Sequence, residues 1–364
     1  MPAPRRILFV SAHPRGFAPS QRFRFEQYTD YLAQNGFETT FSPVVRPDEY
    51  PLLYAPGGTL RKAGIFGRGL AQRTWQALRR PDVDIAIVQR EAIQLGTTLF
   101  ESALARSRVK YVFDFDDAIW LPDTSAANRR MSWLKRPQKV PRLIALADQV
   151  WAGNDYLADY ARPFNDAVHV VPTTIDTVEH APLPGRDGAR PVCVGWTGSR
   201  TTVKHFELAV PVLLRIRERF GDRVTFKLVG DGSYRNDALG LRGTPWREDT
   251  EVAELREIDI GLMPLPDDEW AKGKCGLKAL QFMSLELPVV TSPVGVNTKI
   301  ISDGANGFLA TSDDEWFDRL AALIESAELR ATIGAAARAT VVERYSVASQ
   351  RETYLRLLTE LTSS

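Results

Sequence analysis

Short runs of buried-type residues, each ending in a polar or glycine-rich loop, alternate along the chain with stretches whose apolar residues recur at helical spacing. Residues 6–11 (RILFVS) read as a strand followed by a polar loop over 13–21. Residues 22–35 place Phe23, Phe25, Tyr28, Tyr31 and Leu32 at helical spacing and stop at Asn35-Gly36, a helix terminator. Residues 37–42 predict the next strand. This β-α-β start is the unit of a parallel sheet. A basic helical pattern follows over 60–80, with Arg61, Lys62, Arg68, Arg73, Arg79 and Arg80. Strands are predicted at 84–88, 110–114, 149–153 and 168–172, with a second basic and apolar stretch at 129–142 carrying Met131, Trp133 and Leu134.

Residues 173–190 are rich in Pro, Gly and acidic side chains and show no period. A new β-α series then begins: strand 192–196, loop Thr197-Gly198-Ser199-Arg200, helix 202–220, strand 224–229 ending in Gly230-Asp231-Gly232, helix 251–258 and strand 259–263. The expected division is an N-terminal domain over 1–175, a linker over 176–190, a C-terminal domain over 191–345 and a last helix over 346–364 that crosses back to the first domain. The fold class is α/β, with two doubly wound, Rossmann-like domains facing a central cleft and ligands at the C-terminal ends of the strands.

One stretch concentrates the chemistry: residues 272–297, KGKCGLKALQFMSLELPVVTSPVGVN. A glycine-rich loop with Lys272, Lys274 and Lys278 opens a helical run, and a buried strand and a second loop follow. Backbone N–H groups and the positive end of the helix dipole meet there, and lysines add full charge, which is how α/β proteins build phosphate sites. Composition narrows the picture only a little. Among 364 residues, 44% are hydrophobic and 25% charged, and the net charge of +1 supplies no global field for nucleic acid. Cys193 and Cys275 form neither a disulfide framework nor metal spacing, which suits a reducing cytoplasm. The first apolar run is too short for a signal peptide, and no run approaches a bilayer span.

Taken in order, Gly195-Trp196-Thr197-Gly198-Ser199 with Lys204, Val229-Gly230-Asp231-Gly232, residues 259–265 (DIGLMPL), Gly276-Leu277 with Leu280, Met283 and Pro288-Val289-Val290, Ser292-Pro293-Val294-Gly295 and residues 303–309 (DGANGFL) resemble the donor domain of family 4 retaining glycosyltransferases of the GT-B fold. The resemblance covers about residues 192–346. It implies a nucleotide-diphosphate sugar donor, a saccharide or lipid-linked acceptor, catalysis by side chains and backbone N–H groups, and no cofactor or metal. It also implies work in cell-envelope or exopolysaccharide synthesis, at or near the inner face of a membrane. The chain departs from the family at its signature of two glutamates: those positions are Gly273 and Gln281. Gln281 retains an amide for ribose hydroxyls, whereas Gly273 leaves the sugar-holding role vacant or moved to Asp268 or Glu269. The pattern Gly-Lys-Cys-Gly-Leu-Lys points to a separate branch of the family.

The donor candidates are therefore Gly198, Ser199, Lys204, Lys274, Cys275, Gly276, Leu277, Lys278 and Gln281, with Lys278 also expected to stabilise the leaving diphosphate. Trp246 stands as a stacking partner for the base or as a core residue, and the backbone at Met263 to Leu265 is an equal candidate for the base. Ordinary solvated lysines are the plain alternative. In the first half, Asp114-Phe115-Asp116-Asp117 allows a metal-binding Asp-x-Asp, the place where the family sets a catalytic histidine (Asp116), or strand-end capping. His13 is a candidate general base or a loop-orienting group. Arg22 and Arg24 either grip an acceptor phosphate or sit in solvent. The two basic stretches suit an anionic lipid surface or are solvated helices. A donor epimerase or hydrolase, and a non-catalytic partner protein on the same fold, remain open beside the transferase reading.

Overall fold

The computed structural model describes residues 3–54, 57–79, 81–121, 136–183 and 190–363. The chain divides into two compact units, residues Met1–Thr173 with Arg351–Ser364, and Thr174–Gln350. Each is an α/β unit built on a parallel sheet.

In the first unit β1 (Arg5–Ser11), β2 (Phe37–Pro43), β3 (Ile85–Gln89), β4 (Lys110–Phe115), β5 (Gln149–Ala152) and β6 (Val168–Val170) form a six-stranded sheet in the order β2-β1-β3-β4-β5-β6. All pairings are parallel. Its central strands are buried on both faces, which is why they read as unbroken Ile, Val, Phe and Ala runs rather than as an alternation. The order reverses between β1 and β3, so the loops after these two strands flank a topological switch point.

In the second unit β7 (Val192–Thr197), β8 (Val224–Gly230), a two-stranded ribbon of β9 (Arg235–Asn236) and β10 (Leu241–Arg242), β11 (Thr244–Pro245), β12 (Ile260–Met263), β13 (Val289–Thr291) and β14 (Phe308–Leu309) follow in chain order. The sheet runs β11-β8-β7-β12-β13-β14, again all parallel. Here the reversal falls between β7 and β12.

Two helices differ from the pattern in the sequence. The stretch 22–35 is not one helix: Pro19–Arg22 and Thr29–Gln34 are helical with a single 3-10 turn, Glu26–Tyr28, between them. The break follows from Arg24, whose guanidinium turns inward to Asp114 and to the Val171 carbonyl. The helix expected over 202–220 divides into Val203–Phe206 and Val210–Phe220, the second opened by Pro211, which supplies no N–H to continue the first. The last helix, Val347–Ser363, begins in the second unit and ends in the first. There Tyr354 stacks on Tyr28 at 4.4 Å and meets Trp151 edge-on at 4.7 Å.

Residues 174–183 are not loose chain. Thr174, Ile175 and His180 are fully buried in the second unit, and Ile175 bridges to Ser346. Residues 184–189 of the expected linker, residues 129–135 of the second basic stretch (with Met131, Trp133 and Leu134) and Arg80 lie outside the described residues.

Candidate active site

The second unit gathers three of the predicted lysines around one residue. His205, buried in the short helix after β7, feels the charges of Lys278, Lys274 and Lys204, with Asp268 opposing them. Burial first, and then these lysines, push its pKa down to about 4, so the imidazole is neutral where the lysines are charged. Lys278 stands in the first turn of the helix Leu277–Ser284, its Nζ 5.5 Å from the centre of the Trp196 ring. Its Cε lies 2.8 Å from where a side chain at Gly198 would begin, so the β7 loop and the lysine are in direct apposition. Lys274 lies 5.2 Å over the Trp270 ring.

Backbone at this place leaves no room for side chains. Gly230 has φ +141°, and a Cβ there would sit 1.7 Å from the Gly198 carbonyl oxygen. Gly198 N–H donates to the Val229 carbonyl at 3.0 Å, locking the loops after β7 and β8 together. Gly276 caps the lysine helix in the left-handed region at φ +72°, a conformation that strains other residues. The Leu280 N–H bonds back to the Gly276 carbonyl at 3.1 Å, the first bond of that helix. The donors before it belong to the turn whose N–H groups have no intrahelical acceptor. Cys275 is half-buried, and its Sγ lies 3.8 Å from the Gly273 carbonyl. Four polar atoms of the second unit, His205 Nδ1 and Trp196 Nε1 here, Thr291 Oγ1 at the end of β13 and Asn297 Oδ1 at the start of the short helix after it, are buried with no hydrogen-bond partner among the described residues.

The other donor candidates are placed as follows. Ser199 is exposed, and its N–H donates to Thr202 Oγ1 at 3.0 Å, which shapes the loop. Met263 ends β12 and Leu265 follows it, at the switch point. The Met263 carbonyl accepts from Ser292 N–H at 3.3 Å, and Leu265 N–H donates to Ser292 Oγ at 3.0 Å. Trp246 is half-buried just after the edge strand β11. Gln281 is buried, and its amide donates to Glu251 Oε1 at 3.0 Å. That commits the amide to a carboxylate on a neighbouring helix, which places an acid beside the family's second glutamate position. Sequence reading missed Glu251, because nothing in the spacing links residues thirty apart on different helices. Asp268 and Glu269, offered as substitutes for the first glutamate, are engaged locally: Asp268 accepts from Ala271 N–H at 2.7 Å, and Glu269 pairs with Lys272 at 2.7 Å.

In the first unit the Asp114–Asp117 cluster meets two arginines. Arg24 is clamped on Asp114, with Nε 3.0 and 2.9 Å from the two carboxylate oxygens. Both residues are 3% exposed, so Arg24 is not a solvent-facing phosphate grip. Arg90 joins Asp116 at 2.7 Å and Asp117 at 2.5 Å. It holds φ at +61°, unusual for an arginine, with its N–H on the Asp114 carbonyl at 2.6 Å. The cluster is thus an arginine-paired network at the end of β4, and no set of His, Cys, Asp and Glu that could hold a metal occurs among the described residues. Arg22 is mostly buried, its guanidinium 5.0 Å over the Phe23 ring. Arg90 was missed as a site residue; its only sequence signal was its place directly after a strand.

His13 opens the loop after β1, with its backbone held on both sides by Gln21, at 3.0 and 2.9 Å. Its Nδ1 is buried without a hydrogen-bond partner among the described residues. Burial and the Arg90 charge lower its pKa to about 4, so it is neutral near pH 7 and a weak base. Because His13 and His205 are depressed in the folded state, the unfolded chain binds more protons between their ordinary value of 6.5 and about 4. Their contribution to stability is complete above 6.5 and is lost as pH falls toward 4. Urea midpoints should therefore fall between about pH 7 and about pH 5. His13→Gln should flatten the slope for the first unit and His205→Gln that for the second; unchanged slopes would assign the effect to other groups.

Residues 191–326 match a family model described as Glycosyl transferases group 1. No curated protein matches the chain in sequence. Among solved structures, sucrose-phosphate synthase from Thermosynechococcus elongatus superposes with a TM-score of 0.70 at 14% identity, covering 99% of both chains. HepE from Anabaena, in complex with UDP and glucose, gives 0.65 at 17% identity over 97% of this chain and 99% of the other. TarM from S. aureus, in complex with UDP and saccharides, gives 0.61 at 14% identity over 82% of this chain and 59% of the other. At these identities the likenesses establish the fold, which is GT-B. With a group 1 glycosyl transferase domain over residues 191–326 and that fold over the chain, the protein is an enzyme of the glycosyltransferase type.

Proposed function

We propose that the protein transfers a sugar from a nucleotide-diphosphate donor to a saccharide or lipid-linked acceptor, with retention of anomeric configuration and without a metal. The observation that carries this reading is the convergence of Lys204, Lys274 and Lys278 on neutral His205, beside the Gly198 loop and the capped start of the helix Leu277–Ser284. The leaving group is a diphosphate, so most of the work is the stabilisation of growing negative charge. Preorganised lysines and backbone N–H groups supply that. In this reading Ser199, Cys275, Gly276 and Leu277 contribute the loop and helix-start donors, and Met263, Leu265 and Trp246 border the base. The buried Glu251–Gln281 pair meets the ribose. In the first unit the same reading gives catalytic roles to Asp116, held by Arg90, and to His13, and acceptor roles to Arg22, Arg24, Asp114 and Asp117. The Gly-Lys-Cys-Gly-Leu-Lys stretch would define a branch of the family in which lysines replace the two-glutamate signature. A cytoplasmic role at the inner membrane face, in envelope or exopolysaccharide synthesis, is part of the same proposal.

A thermal-shift screen of nucleotides and nucleotide sugars tests it, followed by assays of the best binder with and without membrane extract. Stabilisation by a nucleoside diphosphate and acceptor-dependent consumption of its sugar conjugate are expected. Donor breakdown with no acceptor would instead identify an epimerase or hydrolase. Failure of every nucleotide to bind would leave a non-catalytic partner protein. Product NMR decides retention, and activity surviving a chelator decides the metal question.

A further inference from the structure

The 21-residue helix Thr59–Arg79 has its polarity reversed. Lys62, Ile65, Gly69 and Arg73 form its buried side. Gly69 lets the helix touch the sheet edge, since a Cβ there would lie 2.4 Å from Val44 Cγ1. Arg73 is fastened inward, with Nη1 2.7 Å from Ser42 Oγ and Nε 2.8 Å from the Ala92 carbonyl. Two of the helix's cations therefore face the protein.

The opposite side carries the apolar residues. Leu60 is 90% exposed, Leu78 79% and Trp75 56%, and Ala63, Gly64, Gly67 and Ala71 between them are exposed as well. Leu60 and Leu78 are five turns apart at about 3.6 residues per turn, so they share one angular position. Surface helices of soluble domains ordinarily place charge there. Here the exposed cations are Arg61 and Arg79, near the two ends, and residues 59–79 contain no Asp or Glu. The Arg79 guanidinium lies 5.0 Å over the Trp75 ring. Arg68, on the flank, is taken up by Glu49.

We propose that this face docks on an anionic lipid bilayer. Charge complementarity selects that occupant. An acid-free helix with an arginine at each end matches anionic headgroups, and two copies packed face to face would bring like charges together. Trp and Arg also favour the boundary between headgroups and acyl chains. In the described part of the second basic stretch Lys139 is spent inward, buried on the Ile93 carbonyl at 3.0 Å and paired with Glu91 at 3.3 Å, while Arg136 and Arg142 are exposed.

Cosedimentation of the whole protein with vesicles tests the proposal independently of the donor-site reading, because nucleotide binding is a separate measurement. Binding is expected to vesicles with roughly one third phosphatidylglycerol, to weaken with salt, and to be slight on phosphatidylcholine alone. Trp75→Ser with Leu78→Ser should lower the partition by about tenfold or more, with the urea midpoint and nucleotide-induced thermal shift unchanged. Absence of binding to the anionic vesicles, or equal binding by the folded double variant, overturns it. So does a concentration-dependent dimer that the same substitutions abolish, which would assign the face to a second copy of the chain.

Discussion

Lys278→Ala is expected to lower turnover by about 10²–10³-fold, the usual consequence of removing one preorganised charge from a developing anion. Lys278 is placed against the Gly198 loop, over Trp196, and beside His205, which burial and then the lysine charges keep neutral. As the sugar–phosphate bond breaks, charge grows on the diphosphate, so the loss should fall mainly on kcat and less on the donor KM. Lys278→Arg keeps the charge and should recover part of the rate. The fold should survive, because the lost cation–π contact with Trp196 is worth only about 0.5–1 kcal/mol. Near-normal turnover in a protein that still binds nucleotide would place the diphosphate elsewhere.

Arg24→Ala should produce the largest loss of stability, about 3–5 kcal/mol in the first unit. The substitution leaves the Asp114 carboxylate buried without its clamp and frees the Val171 carbonyl as well. Burial already pushes the Asp114 pKa upward, and the Arg24 charge is the chief force opposing it. In a unit of this size the melting transition should fall by roughly 10 °C. Replacing both members by apolar residues of similar volume should recover most of the loss, because desolvating an ion pair offsets much of its attraction. If Arg24→Ala melts like the parent, the pair is not what ties the segment after β1 to the end of β4.

Much of the fold was legible because parallel strands covered on both faces leave long apolar runs such as IAIVQ and KYVFDF, which a reader of one sequence can find. The glycine-rich loops were legible for a similar reason: only Gly fits at Gly230 and Gly276, so the chain must spell them out. The lysines of 272–278 were visible as charges at a helix start. Contacts between distant positions were not. Arg24 was read as a phosphate grip or a solvated arginine because helical period says nothing of Asp114, ninety residues away. Gln281 was read without its partner, because Glu251 belongs to another helix.

By itself, then, the sequence determined two parallel α/β units, the switch-point loops and a cationic helix start, since these depend on local pattern: apolar runs, obligatory glycines and charge. Only the tertiary structure decided which charges are solvated and which are spent. It turned Arg24, Arg73 and Arg90 inward or onto carboxylates, gathered three lysines about His205, and left Leu60, Trp75 and Leu78 on the outside of a basic helix. The reason is that burial and ion pairing are properties of neighbours in space, and a linear pattern records only neighbours along the chain.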